Sequence, residues 1–324
     1  MEDIKIKIKS KLINYDLNFE HNLNILRGDS ATGKSTIVRF LDNEESSNVI
    51  IESNYELFHL NSKMLERNIK LDNKTIYIMD ESDGIKNQIV IDTINKNKYK
   101  FILIIRDAKL ETLSYGINQI YELYKSGKYN LNRRIYKDNL NKDKLGLLNF
   151  EDFNSIVTED SESGFQFYSN YKNFEVMSSN GNSNINNNIE NNQIVVIDSI
   201  AFGPYIKQLL DLIYNKNIFL ISPKSFEWLI LTSDIFRIND TDLDKNYKLI
   251  NCNKNKEKYY ETCLKEESSK INIRYSKSKL NEKFLEEKQF NKINARIKNL
   301  FDIDINELNK VKNNKFNIDN MRWL

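Results

Sequence analysis

One run of the chain is suited to polyphosphate chemistry: Gly28-Asp29-Ser30-Ala31-Thr32-Gly33-Lys34-Ser35, followed by Thr36. It meets the pattern G-x-x-x-x-G-K-[ST] at every fixed position. The two glycines let the backbone turn tightly, so the N–H groups from Asp29 to Thr36 face inward onto phosphate oxygens. Lys34 neutralises the β- and γ-phosphates, and the Ser35 hydroxyl offers an oxygen to Mg2+. An ordinary glycine turn leaves the consecutive Gly-Lys-Ser-Thr unexplained. The expected ligand is ATP or GTP with Mg2+.

A second group of residues gains meaning beside that run. Thr75-Ile-Tyr-Ile-Met-Asp80-Glu81 is an apolar stretch ending in two acids. Asp80 at the end of a buried strand can hold the metal through water, and Glu81 can orient or deprotonate an attacking water. Acidic pairs also end ordinary surface turns, so the pairing with the glycine-lysine run decides in favour of catalysis. Phe101-Ile-Leu-Ile-Ile-Arg106 is another apolar stretch with a polar end. Arg106 is either a γ-phosphate sensor or a surface arginine.

The elements that must position these residues follow from periodicity. Ile4, Ile6 and Ile8 alternate with lysines, and Ile13, Tyr15, Leu17 and Phe19 alternate in turn. This predicts an N-terminal hairpin with one buried face. Leu23–Leu26 is a short strand leading into Gly28, and the run after Lys34 has helical spacing. Val49–Ile51, Thr75–Met79 and Phe101–Ile105 read as buried parallel strands separated by helix-length segments. Residues 1–136 are therefore expected to form a P-loop NTPase α/β domain built on a parallel sheet, with 137–150 as a linker.

Residues 151–240 repeat the rhythm. Strands are expected at Ser155–Thr158, Phe174–Met177, Ile194–Ile197 and Ile218–Ile221, with helices at Gly164–Tyr171, Ala201–Tyr214 and Phe226–Phe236. Asn180–Asn192 reads as an Asn-rich loop with room for a helical turn. Acids end the first and third strands, and ligands collect at the carboxyl ends of a parallel sheet. Glu159 and Asp198 should therefore lie close together. Beyond residue 245 strand signals stop, and 241–324 is expected to be basic and mostly helical. Leu280, Phe284, Ile293, Ile297, Leu300 and Phe301 are taken to mark one helical face.

Composition narrows the class. The chain has 324 residues, is 40% hydrophobic, and carries a formal net charge of +2. That is enough apolar matter for two cores and excludes global disorder. Residues 241–324 hold 19 Lys and Arg against 13 Asp and Glu. This excess favours contact with DNA, RNA or another acidic surface, and equally suits a solvated helical face. Two cysteines exclude a disulfide framework or a cysteine-rich zinc site. No apolar run is long enough for a membrane span and no signal-peptide core is present, so a cytoplasmic protein is expected.

The run from Tyr15 through Leu23-Asn-Ile-Leu-Arg-Gly28 to Gly33-Lys34-Ser35-Thr36, with Met79-Asp80-Glu81, resembles the ATPase cores of the ABC-type superfamily, including the overcoming-lysogenization-defect (OLD) ATPase-nucleases. Arg106 stands where such cores often place a histidine, and no Leu-Ser-Gly-Gly-Gln-like signature is visible. Only 46 positions separate Lys34 from Asp80, which leaves little room for a helical subdomain. The second half is similar to a Toprim domain, the metal-binding nuclease module of the OLD family. That resemblance implies Mg2+ ligands at Glu159 and Asp198, with Ile200 where the module carries a further aspartate. Asp160 and Glu227 are the carboxylates that could compensate. The whole chain also resembles P-loop proteins of bacterial mobile elements.

The expected function is Mg-dependent ATP or GTP hydrolysis that controls a Toprim-like, nucleic-acid-binding module with little nuclease activity. Phage defence or mobile-element maintenance is the setting the resemblance implies. The alternatives are a nucleotide switch that engages a protein partner without significant hydrolysis, and a small-molecule phosphotransferase. A homo-oligomer is compatible with each.

Overall fold

Alternation of isoleucine and lysine gives strand β1 (Ile4–Ser10) one dry and one wet face, with Ile4, Ile6 and Ile8 buried and the lysines between them exposed. Strand β2 (Asn14–Phe19) turns Tyr15, Leu17 and Phe19 inward. The two pair antiparallel, with Ile6 opposite Leu17, which is the expected hairpin. The computed structural model describes residues 3–28, 32–42, 48–106, 110–136, 140–141, 147–249 and 256–311. Within it the chain divides into two compact units. The first comprises Met1–Asp138, Ile200–Pro204 and Asp244–Lys256, and the second Asn139–Ser199, Tyr205–Leu243 and Glu257–Leu324.

In the first unit the hairpin is followed by β3 (Leu23–Arg27), α1 (Lys34–Asp42), β4 (Val49–Ser53), β5 (Glu56–His59), α2 (Ser62–Glu66), β6 (Thr75–Asp80), α3 (Gln88–Asn95), β7 (Lys100–Ile105), β8 (Ile120–Ser126) and β9 (Tyr129–Arg134). They form one nine-stranded sheet in the order β4-β1-β2-β9-β8-β3-β7-β6-β5. From β8 across to β5 every neighbouring pair is parallel. The β1–β2, β1–β4 and β8–β9 pairs are antiparallel. One core cluster joins Ile4, Ile6, Tyr15 and Phe19 of the hairpin to Leu26, Ile37, Ile78 and Ile104 of the parallel part.

Three details depart from the sequence reading, the first being β5, a parallel strand beside β6 that was not expected. Val49–Ser53 is an antiparallel edge strand on β1, with Ile50 exposed, rather than a buried parallel strand. An edge strand with one wet face needs only alternate apolar residues, and a short Val-Ile-Ile run does not reveal which it will be. The β8–β9 hairpin was not expected, its second strand being the largely polar Tyr-Asn-Leu-Asn-Arg-Arg. Its turn is marked by Gly127 at φ 58°, and Ser-Gly is a recognised turn signal.

In the second unit the elements are β10 (Ser155–Thr158), α4 (Ser163–Tyr168), β11 (Glu175–Ser178), α5 (Asn182–Asn188), β12 (Gln193–Val196), α6 (Ile206–Tyr214), β13 (Ile218–Ile221) and α7 (Phe226–Thr232). Helices α8 (Asp240–Leu249), of which residues 244–249 belong to the first unit, α9 (Lys256–Lys270), α10 (Glu287–Phe301) and α11 (Ile305–Val311) follow among the described residues. The sheet order is β11-β10-β12-β13, parallel throughout. The four expected strands are all present. The Asn-rich stretch contains a full helix, α5, whose Ile185 is buried. Leu280 and Phe284 precede α10 instead of sharing its face, and the helix buries Phe290, Ile293, Ile297 and Phe301. Within the stretch read as a linker, Asn141 is buried and bonds both ways to the backbone of Leu220, at 2.6 and 2.9 Å.

Phe167 anchors this core. It is fully buried, with ring centroids of Phe290, Tyr168 and Phe226 at 4.9, 5.3 and 5.4 Å. Phe167→Ala should destabilise the protein by about 3–5 kcal/mol, read as a lower urea midpoint of the second unit's transition. A loss under about 1 kcal/mol would mean that the rings repack around the void.

Candidate functional site

The glycine-lysine turn joins β3, which lies between β7 and β8 in the sheet, to α1. Asp29, Ser30 and Ala31 lie outside the described residues. Gly28 and Gly33 take φ values of 148° and 89°, a region costly for any residue with a Cβ. At Gly33 the space is closed as well, because a Cβ would lie 2.8 Å from the Tyr15 hydroxyl oxygen. That hydroxyl donates to the Gly33 carbonyl at 2.7 Å, and the Thr36 N–H donates to the same carbonyl at 3.1 Å. Lys34 is buried, and its Nζ donates to Thr32 Oγ1 at 2.7 Å. Ser35 is exposed in the first turn of α1, where the positive end of the helix macrodipole lies.

The acidic residues reach the same level of the sheet through register. Arg27 of β3 is paired with Ile105 of β7, and Ile104 with Asp80 of β6. Gly28, Arg106 and Glu81 therefore leave three adjacent parallel strands together. Glu81 Oε2 accepts the Arg106 backbone N–H at 3.0 Å. It is the Arg106 peptide, not its exposed side chain, that touches Glu81. Asp80 Oδ1 accepts the Glu81 N–H at 2.6 Å, and Asp83 Oδ2 accepts the Asp80 N–H at 2.5 Å. These bonds make a capping box over the short helical turn Glu81–Asp83, closed by Gly84 at φ 81°. Asp83 and Tyr15 were missed in the sequence. An acid three residues after Asp80 is a capping signal that could have exposed Asp83, whereas Tyr15 reads only as a core residue of a strand.

The second unit builds a separate pocket at the carboxyl edge of its sheet, lined among others by Thr158, Glu159, Asp160, Tyr168, Asp198 and Phe226. Thr158 pairs with Val196, so Glu159 and Asp198 follow neighbouring strands. Glu159 Oε2 accepts the Asp198 N–H at 2.9 Å, which is the adjacency expected from the sequence. Asp160 accepts the N–H groups of Gly164 and Phe165 in the first turn of α4, at 3.2 and 3.0 Å. The Tyr168 hydroxyl is buried without a hydrogen-bond partner. Glu227, on α7, is fully buried and accepts from the Tyr275 hydroxyl at 2.7 Å. Ile200 belongs to the first unit and does not line the pocket.

Burial and crowding of like charges set the electrostatics here. Burial, reinforced by Glu257 and Asp160, pushes the Glu159 carboxyl up to about 8. Burial, then Glu159 and Glu227, holds Asp198 well above the usual carboxylate range, and Asp160 is raised mainly by burial. Lys277 is the opposing charge. Burial alone would lower its pKa, but its contact with Glu257 and the field of Glu227 and Asp198 outweigh that and raise it. Among the described residues no three His, Cys, Asp or Glu side chains come together as a metal-binding group. None of the described helices is long and apolar enough to cross a membrane. No protein-family model matches the chain, and no curated protein matches it.

A carboxyl whose pKa is higher folded than unfolded stabilises the fold below its unfolded value, and that contribution is lost as pH rises through the folded value. Between about pH 4.5 and 8 the folded state holds the Glu159 proton that the unfolded chain has released. In chelator, the unfolding midpoint of the second unit should fall across this window. Glu159→Gln should flatten the fall; an unchanged slope would assign it to other groups.

Proposed function

We propose that the first unit binds ATP or GTP with Mg2+ and hydrolyses it, and that its nucleotide state controls the second unit as a Toprim-like, nucleic-acid-binding module. The observation that supports this best is the convergence of three strand ends. The glycine-lysine turn, the Asp80–Glu81 pair and the Arg106 peptide leave β3, β6 and β7 at one level. Ligands collect at that edge of a parallel sheet.

The residues fit a phosphate cradle. Gly28 and Gly33 hold positive-φ conformations, Tyr15 clamps the second of them, and a helix N-terminus follows. Lys34 sits with its Nζ 3.4 Å from where a Gly28 Cβ would be, so its ammonium lies beside Gly28, where the turn begins. It neutralises phosphate charge there. Ser35 and Asp80 would hold Mg2+, which offsets charge on the phosphate oxygens. Glu81, oriented by the Arg106 N–H, is the base or orienting group for the attacking water. In the second unit Glu159 and Asp198 are neighbours, but with Asp160 they do not come together as a metal-binding group, so the residues present fit a divalent cation poorly. With Ile200 outside the pocket the set lacks one carboxylate, so weak nuclease activity is the reading. The basic residues beyond 241 would supply contacts to DNA or RNA. Binding of a protein partner without turnover is the second reading, and an ATPase assay run with DNA, RNA or neither separates the two.

Lys34→Ala should lower MgATP affinity at least tenfold without changing the circular dichroism of the protein, since an anion cradle loses its buried cation. Calorimetric isotherms equal to the parent's would remove the cradle from the nucleotide reading. Glu81→Gln keeps size and loses the base, so it should bind MgATP like the parent while turnover drops on the order of a hundredfold. An unchanged turnover number would exclude Glu81 as the base.

A further inference from the structure

His59, one of two histidines in the chain, ends β5 with its backbone paired to Ile78 of β6. Its ring lies between two carboxylates. Nδ1 is 2.7 Å from Asp42 Oδ1, and Nε2 is 2.9 Å from Asp83 Oδ2. A neutral imidazole has one N–H and one lone pair, and an ionised carboxylate only accepts. Both contacts are hydrogen bonds at once only when each ring nitrogen carries a proton. The ring and Asp83 are mostly enclosed, with side chains 19% and 13% exposed, while Asp42 is 50% exposed. Burial by itself would lower the pKa of His59, but the bonds to Asp83 and Asp42 outweigh it and the net direction is up. Those two acids are the charged groups that act on it.

The bridge joins the two halves of the nucleotide site. Asp42 is the last residue of α1, and Lys34 is the first. A carboxylate at a helix C-terminus opposes the macrodipole, and an imidazolium beside it relieves that opposition. On the other side, the Asp83 oxygen that faces His59 is the one that accepts the Asp80 N–H. One oxygen thus connects the ring to the peptide that leads into Asp80 and Glu81.

We propose that His59 is a positioning residue of the nucleotide site: as an imidazolium it ties the carboxyl end of the Lys34 helix to the turn Asp80–Asp83 and holds Asp80 and Glu81 in register with the glycine-lysine turn. This rests on the nucleotide-hydrolysing reading of the first unit. The ring's hydrogen-bond partners, Asp42 and Asp83, lie outside the glycine-lysine turn, so its removal acts on turnover and spares nucleotide affinity. Loss of residues that orient metal-site groups commonly costs 10–100-fold in activity. As pH rises and His59 loses one proton, one of the two bonds goes, and turnover falls with it. Asp42→Asn changes that dependence in a way no general loosening would. An asparagine can donate to a neutral ring nitrogen, so the bridge survives deprotonation.

The test uses the full chain and measures steady-state MgATP hydrolysis from pH 6 to 9, with proton NMR titration of the imidazoles. Two histidines make the spectrum assignable with a His21→Ala control. In the parent, kcat should fall over the same pH range in which His59 titrates. His59→Ala should lower kcat about tenfold or more, leave KM within about threefold, and abolish that fall. Asp42→Asn should keep kcat at low pH, lower the titration midpoint of His59, and remove or shift the alkaline fall. Parent-like kcat and pH profile in His59→Ala would overturn the proposal. So would an Asp42→Asn protein, a variant that retains the ring, in which the His59 titration and the fall in kcat are both unmoved. A parent that neither binds nor hydrolyses MgATP would overturn the nucleotide reading itself, and the NMR titration would then show a bridge with no nucleotide role.

Discussion

Parallel strands that end at one level impose the geometry from which the rest of this structure follows. In the first unit the ladder aligns Arg27, Ile105 and the Asp80 level across β3, β7 and β6. The residues that come next must share one edge, whatever their types. Their types are a glycine turn with a buried lysine, an acidic pair, and an arginine whose peptide bonds to the second acid. In the second unit the same constraint acts through Thr158, Val196 and Ile221. Here it brings Glu159 beside Asp198. Where a helix follows directly, as α1 follows β3, its N-terminus also faces that edge, where polar ligands are held.

The two edges differ in the charge they favour. The first combines a buried ammonium, positive-φ glycines and a helix N-terminus, all of which favour an anion. The second gathers carboxyls whose burial disfavours ionisation and raises their pKa values. Lys277, raised by its acidic neighbours, supplies part of the missing positive charge. Backbone amides also hold the acids in place: Asp198 N–H on Glu159, and two amides of α4 on Asp160. The buried Tyr168 hydroxyl, without a partner, leaves that pocket with unused hydrogen-bonding capacity.

Support for the first edge comes from outside the motif. Tyr15 stands on the hairpin strand β2, yet it clamps Gly33 and leaves no space there for a side chain. A residue that alternation alone explains as core is thus also part of the turn's wall. Asp83 and His59 do the same for the acidic pair, through a single shared oxygen. Packing and hydrogen bonding here are cooperative, since each group limits the freedom of the next.

The sequence by itself determined the local features. The Ile-Lys alternation of β1, the strand–turn–helix context of Gly28–Ser35, the four strands of the second unit and the acids at the ends of two of them were all legible, because each depends on neighbours within a few positions. Pairings over long separations were decided only by the tertiary structure. Val49–Ser53 became an antiparallel edge on β1, Ile200–Pro204 joined the first unit, and Asn182–Asn188 became a helix that buries Ile185. Tyr15 and Gly33, or Asp42, His59 and Asp83, meet because a sheet and a helix carry them together. Nothing in the types of such residues marks the meeting, since hydrogen bonds form wherever the folded backbone brings donor and acceptor within about 3 Å.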